Sequence, residues 1–158
     1  MKKSILLFCV FSLAISLPAQ DTSKVKVTEK AKATFAKLYS DVKEVKWVKK
    51  DKNEFKAEFK QDGKAISLLI DAEGNLKKTR SEISKSELPI GVEEFVAKNH
   101  NGWTITRSTK ITGAKGNITF EAQITKDKMK KHLLFTKDGK HIIKKVLKEK
   151  KEKTKKIN

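Results

Sequence analysis

The segment Phe55 to Lys78, FKAEFKQDGKAISLLIDAEGNLKK, returns 65 residues later as Phe120 to Ile143, FEAQITKDKMKKHLLFTKDGKHII. Phe55 aligns with Phe120, Ala57 with Ala122, Leu68 and Leu69 with Leu133 and Leu134, and Gly74 with Gly139, all without a gap. A chain that restates a stretch of this length is expected to build one supersecondary unit twice.

The repeated stretch has the period of a β-hairpin. From Glu54 to Lys60, Phe55, Ala57 and Phe59 alternate with charged residues, which is the mark of a half-buried strand. Asp62-Gly63 tolerates positive φ and turns the chain back. Ala65 to Asp71 then places Ile66, Leu68 and Ile70 on the same inner face. A weaker strand is expected at Leu76 to Ile83, after the Glu73-Gly74-Asn75 turn. Upstream, Thr28 caps a helix running to Tyr39, with Ala31, Phe35 and Leu38 on one side. Val45 and Trp47 mark a first strand near residues 43–49.

After a linker at Ser84 to Pro89 the order restarts. A helix is expected at Ile90 to His100, with strands at Trp103–Thr112, Ile118–Thr125, Lys131–Thr136 and His141–Leu147. Phe35 and Phe95 are five residues closer than the hairpin offset requires. The second copy therefore carries about five extra residues, expected within Thr112 to Asn117.

The ends have a different character. Residues 1–20 read as a secretory signal peptide, with Lys2 and Lys3 before an apolar run from Ile5 to Leu17 and small residues near Ala19. The run is about 13 residues, too short for a membrane span of roughly 20, so no transmembrane segment is expected in the mature chain. Lys148 to Asn158 is lysine-rich with one apolar residue and reads as a disordered tail. The expected organisation is thus a leader at 1–20, units at 21–83 and 84–147, and a tail at 148–158. The location is periplasmic or secreted.

Cys9 is the only cysteine and lies in the leader. The mature protein then has no disulfide, thiolate metal site or cysteine nucleophile. Net charge is +18, and 35 of 37 basic residues are lysine, leaving only Arg80 and Arg107. Lysine lacks the planar fork that reads bases or grips phosphate bidentately, which argues against nucleic acid. An acidic polysaccharide, lipopolysaccharide or anionic membrane surface suits such a charge better.

Helix and four strands twice over, with a tryptophan on the first strand (YSDVKEVKW), an aromatic-alternating second (EFKAEF), a third closing on Asp71-x-x-Gly74 (LLIDAEG) and a linker ending in Leu88-Pro89, resembles the PepSY-like family of exported bacterial proteins, also described as β-lactamase-inhibitor-like. The likeness spans nearly all of the mature chain and rests on Tyr39, Trp47, Phe55, Phe59, Asp71, Gly74, Leu88 and Pro89, all structural positions. Ser40 stands where the family often has proline, and Thr136-Lys137-Asp138-Gly139 replaces the second Asp-x-x-Gly turn. The resemblance implies an α+β fold of two tandem α-β4 repeats. Helices pack on one face of antiparallel sheets that can join into a curved surface, and the other face stays open. It also implies inhibitor-like binding through that open face, with no catalytic residues.

The residues themselves point the same way. His100, His132 and His141 lack metal-ligand spacing, and Glu93-Glu94 suits a helix N-terminus. No phosphate loop or nucleophile motif is present. The expectation is no enzyme, no cofactor and no metal. With Leu68 and Ile70 inward, Leu69 faces out, as does Leu134 beside His132. Lys56, Glu58, Glu121 and Gln123 surround them, giving a candidate partner-binding face with an apolar centre and a polar rim. Three roles follow: a non-enzymatic binding or inhibitor-like module engaging a protein, a basic envelope protein held to anionic glycan or lipid, and an edge-strand homodimer.

Overall fold

The computed structural model describes residues 25–143. The leader at 1–20 and the tail at 148–158 lie outside the described residues. Element order is α1 (Glu29–Leu38), β1 (Lys46–Asp51), β2 (Glu54–Gln61), β3 (Lys64–Asp71), β4 (Leu76–Ile83), a 3-10 turn at Lys85–Glu87, α2 (Val92–Asn99), β5 (Thr104–Gly113), β6 (Ile118–Lys126), β7 (Met129–Thr136) and β8 (His141–Ile142). The strands form one antiparallel sheet in the order β1 to β8, each beside its neighbour in sequence.

Cross-strand partners share a face, so register locates the helices. Phe59, Ile66, Ser81, Lys110, Phe120, Phe135 and His141 form a single row across seven strands. Its first members pack under α1 and its last under α2, so both helices lie on the same side. Two cores result. One gathers Ala31, Phe35, Phe55, Ala57, Phe59, Leu68 and Ile70, and the other Leu88, Val92, Val96, Ala122, Ile124, Leu133 and Phe135. Trp47, paired with Ala57, faces α1 and meets Phe35 edge-on at 5.6 Å between ring centres.

Each helix contributes one phenylalanine to an edge-to-face aromatic contact, a geometry that ring quadrupoles favour. Phe35 meets Phe59 at 5.3 Å and Phe95 meets Phe135 at 5.5 Å, each at 82°. The aromatic partner sits on the second strand in one half and on the third in the other. At the hairpin offset Phe59 corresponds to Ile124, and Ile70 to Phe135. The two cores therefore hold the same pair of side chains with their strands exchanged, which conserves volume under the helix.

Thr28 accepts from the Ala31 amide as helix cap, as expected. Asp62 and Gly63 both take positive φ, 49° and 73°, in the β2–β3 hairpin. Differences from expectation lie at element ends. α2 starts at Val92, two residues late, because Gly91 adopts φ 89° and Ile90 projects into solvent, 98% exposed. β1 starts at Lys46, leaving Asp41 to Val45 as a loop. β8 covers His141–Ile142, and from residue 144 on the strand expected to Leu147 lies outside the described residues. The extra residues divide between two places. Lys49 pairs with Phe55 and Lys110 with Phe120, so four extend the β5–β6 hairpin, and the fifth is a bulge at Thr106, skipped between Ile105 and Arg107.

The second turn departs from Asp-x-x-Gly in sequence but keeps the hydrogen bonds of the first. Asp71 accepts from the Asn75 amide at 2.7 Å, and Thr136 Oγ1 accepts from the Lys140 amide at 3.1 Å, four residues on in each case. The Gly74 amide donates to Asp71 O and the Gly139 amide to Thr136 O, both at 3.1 Å. A hydroxyl does in the second hairpin what a carboxylate does in the first, since either oxygen can accept the amide proton.

Candidate functional site

The sheet face opposite the helices is not covered by either of them, and register assigns its residues. Lys46, Glu58, Ser67, Arg80, Ile111 and Thr119 form one row, and Glu82, Thr109, Glu121, Leu134 and Ile142 the next. Arg107, Gln123 and His132 follow. The Asp41 to Lys46 loop and the β2–β3 hairpin wall one end. Together they enclose a hollow of about 1420 Å³.

A charge network occupies its floor. Glu121 on β6, its side chain 13% exposed, pairs with Arg80 on β4 and with His132 Nδ1 on β7 at 3.2 Å. Arg107 on β5 meets Glu82 on β4 at 3.2 Å. Lys56 pairs with Glu58 along β2, and that contact holds the Glu58 carboxyl below its ordinary range. Thr109 and Ile111 are buried among these groups. Arg107 with Glu82 and His132 with Glu121 meet across adjacent strands, where partners lie only about 5 Å apart, and the long Arg80 side chain reaches Glu121 past β5. The result is a polar floor whose charges are already paired.

Of the candidate residues, Lys56, Glu58, Glu121, Gln123 and His132 line this hollow together. Leu69 lies in a smaller depression of about 340 Å³, among Lys50, Lys56, Lys78 and Arg80. Leu134 is half-buried between Glu121 and Ile142, four strands from Leu69. The expected apolar centre and polar rim are thus inverted, with charges in the middle and the two leucines on its flanks. The reason is β4 and β5, which come between the halves and contribute arginine, glutamate and threonine to this face.

Arg80, Glu82, Arg107 and Thr109 were not picked out from the sequence. A signal was present. Both arginines of a chain otherwise furnished with lysine stand in this one hollow, each reaching a glutamate on another strand. The planar guanidinium fork suits a fixed carboxylate better than a lysine ammonium does.

The other histidines lie on the helix face. His100 and His141 stand beside the Phe95 ring, at 6.1 and 4.6 Å. Burial, with Lys131 and His141 nearby, lowers the His100 pKa. Among the described residues no three His, Cys, Asp or Glu side chains are grouped to hold a metal ion. No helix of the described residues is long and apolar enough to cross a membrane.

No protein-family model matches the chain, and no curated protein matches it by sequence. Solved structures do. A DUF2874 family protein from Bacteroides uniformis superposes with a TM-score of 0.65 at 20% identity, over 74% of this chain and 87% of its own. A proposed periplasmic protein from Bacteroides eggerthii gives 0.66 at 18%, over 74% and 86%. A BLIP-like protein from Bacteroides fragilis gives 0.62 at 21%, over 78% and 88%. This chain shares their fold, an eight-stranded antiparallel sheet with two helices, and that likeness is one of fold alone.

Proposed function

We propose that this protein is a non-enzymatic, exported binding module of PepSY-like type that engages a protein partner through the open face of its sheet. The observation that carries the reading is the hollow itself. It is uncovered by any described helix, walled by a loop and a hairpin, and floored by ion pairs whose geometry is set before a partner arrives. A pre-ordered surface of this kind loses little entropy on binding.

The charge of the hollow favours a protein over a polyanion at this site. Its lining holds six Lys or Arg and six Asp or Glu, within a chain of net charge +18. Mixed charges side by side suit a partner with mixed charges of its own. The basic excess lies elsewhere on the molecule. The BLIP-like and proposed periplasmic neighbours support an exported, non-catalytic role. Under the same reading residues 21–83 and 84–147 are repeat units, residues 1–20 a cleaved leader and residues 148–158 a tail.

The test is affinity capture from the host envelope with wild-type protein and two face variants, Leu69→Asp with Leu134→Asp, and Arg80→Glu with Arg107→Glu. A discrete protein captured by wild type at moderate salt and lost from both folded variants is the expected result. Capture indifferent to both changes refutes the open face as the site.

A further inference from the structure

The basic excess has a location. Residues 101–143 hold nine Lys or Arg against three Asp or Glu. Four of those lysines, Lys126, Lys128, Lys130 and Lys131, fall within six residues at the tip of the β6–β7 hairpin, and all four are exposed. Among the described residues none of them pairs with a carboxylate, whereas Lys32, Lys56, Lys64, Lys77 and Lys85 each do. Register places Lys126 and Lys131 on the helix face with Met129 and turns Lys130 to the other face, so the four ammonium groups ring the end of the hairpin.

The tip is not purely ionic. Met129, at the start of β7, is 55% exposed between these lysines. It pairs with Lys126 across the hairpin. Beneath it, Lys131 Nζ lies 4.4 Å from the centre of the half-buried Trp103 ring, which holds that ammonium on the same side. Lys126 passes along Gly102, beside Trp103. The tip also lies at the far end of the sheet from the β5–β6 and β7–β8 turns, which carry Lys115, Lys137 and Lys140.

We propose that the β6–β7 hairpin tip docks on an anionic lipid surface. Lysine ammonium groups are drawn to negatively charged headgroups, and a projecting thioether among them can enter the headgroup boundary without a polar group to desolvate. A projecting hairpin end, net positive despite Asp127 in its turn and with exposed Met129 just beside that turn, fits a planar surface better than a polysaccharide chain, which is gripped in grooves. None of the four tip lysines lines the hollow of the open face, so one site can fail without the other.

The test is co-sedimentation of the exported chain, lysine-rich C-terminal segment intact, with vesicles of pure phosphatidylcholine or phosphatidylcholine with about one third phosphatidylglycerol. The tip variant carries Lys126→Gln, Lys128→Gln, Lys130→Gln and Lys131→Gln, and a charge-matched control carries Lys110→Gln, Lys115→Gln, Lys137→Gln and Lys140→Gln. Each tip lysine near the surface is worth about fivefold in partitioning, so the tip variant should lose two orders of magnitude or more and Met129→Ser a smaller factor. The control and the Arg80→Glu, Arg107→Glu variant should lose far less. Equal loss in tip and control variants means net charge alone is responsible and overturns the proposal. Binding of a soluble acidic polysaccharide that anionic vesicles do not displace overturns it in favour of a glycan.

Discussion

Three glycines allow the cost of a left-handed turn to be separated from the cost of a close approach. Gly63, Gly74 and Gly139 all have φ between 73° and 89°. An added Cβ at Gly63 meets nothing within 4 Å. At Gly74 it would lie 2.9 Å from the Lys30 carbonyl oxygen of α1 and 3.1 Å from Thr34 Oγ1, which itself donates to Gly74 O at 2.6 Å. At Gly139 it would overlap the Ile90 carbonyl oxygen outright. Gly63→Ala should therefore cost only the conformational penalty, about 1 kcal/mol. Gly74→Ala adds a push against helix backbone, where overpacking costs about 1–3 kcal/mol more, for a total of about 2–4 kcal/mol. Gly139→Ala should cost at least as much as Gly74→Ala, unless the short β7–β8 hairpin peels away. Urea unfolding followed by far-UV circular dichroism reads the difference. With a slope of roughly 1–3 kcal/mol per molar, Gly74→Ala should unfold at a midpoint at least about 0.3 M below Gly63→Ala. Equal midpoints for Gly63→Ala and Gly74→Ala would show that α1 does not constrain this turn.

The Asp71 carboxyl is pulled from an ordinary 3.8 to about 2, first by the Asn75 side-chain amide and then by the Asn75 backbone amide and Lys77. A depressed carboxyl contributes stability that is complete above its unfolded pKa and disappears as pH falls through the folded one. Wild type should thus weaken between about pH 4 and pH 2. Asp71→Thr, which copies Thr136, should stay folded at neutral pH and flatten that limb of a stability-against-pH curve. An unchanged acid limb would rule Asp71 out as its source. In the hollow, Glu121→Ala leaves Arg80 and His132 facing no carboxylate, and should cost about 1–2 kcal/mol, between the values for exposed and buried pairs. A double-mutant cycle with Arg80→Ala should return a coupling near 1 kcal/mol, and a coupling near zero would show that the pair is not formed in solution.

Much of this fold was readable one strand at a time. Phe55, Ala57 and Phe59 alternate with charges strictly enough to name both the strand and its buried side, and Asp62-Gly63 can do little but turn. Where alternation fails the reading blurs. In LKKTRSEI no apolar residue between Leu76 and Ile83 marks a face, because Thr79 and Ser81 lie between the two helices and need little apolar contact. Arg80 and Glu82 were missed for that reason. Element ends shifted where a backbone conformation decided them, as at Gly91, whose positive φ delays α2.

Helix, strand and hairpin could be read locally, since hydrophobic period, turn chemistry and helix capping act between residues a few positions apart. The site could not. Glu121 meets Arg80 across 41 residues and Arg107 meets Glu82 across 25. Those contacts exist because β4 pairs with β5 and merges the two halves into one sheet. That pairing brings Arg80, Glu82, Thr109 and Glu121 to the middle of the open face and leaves Leu69 and Leu134 apart. Side-chain direction along a strand can be read from parity, but which strands lie side by side is settled by packing over the whole chain.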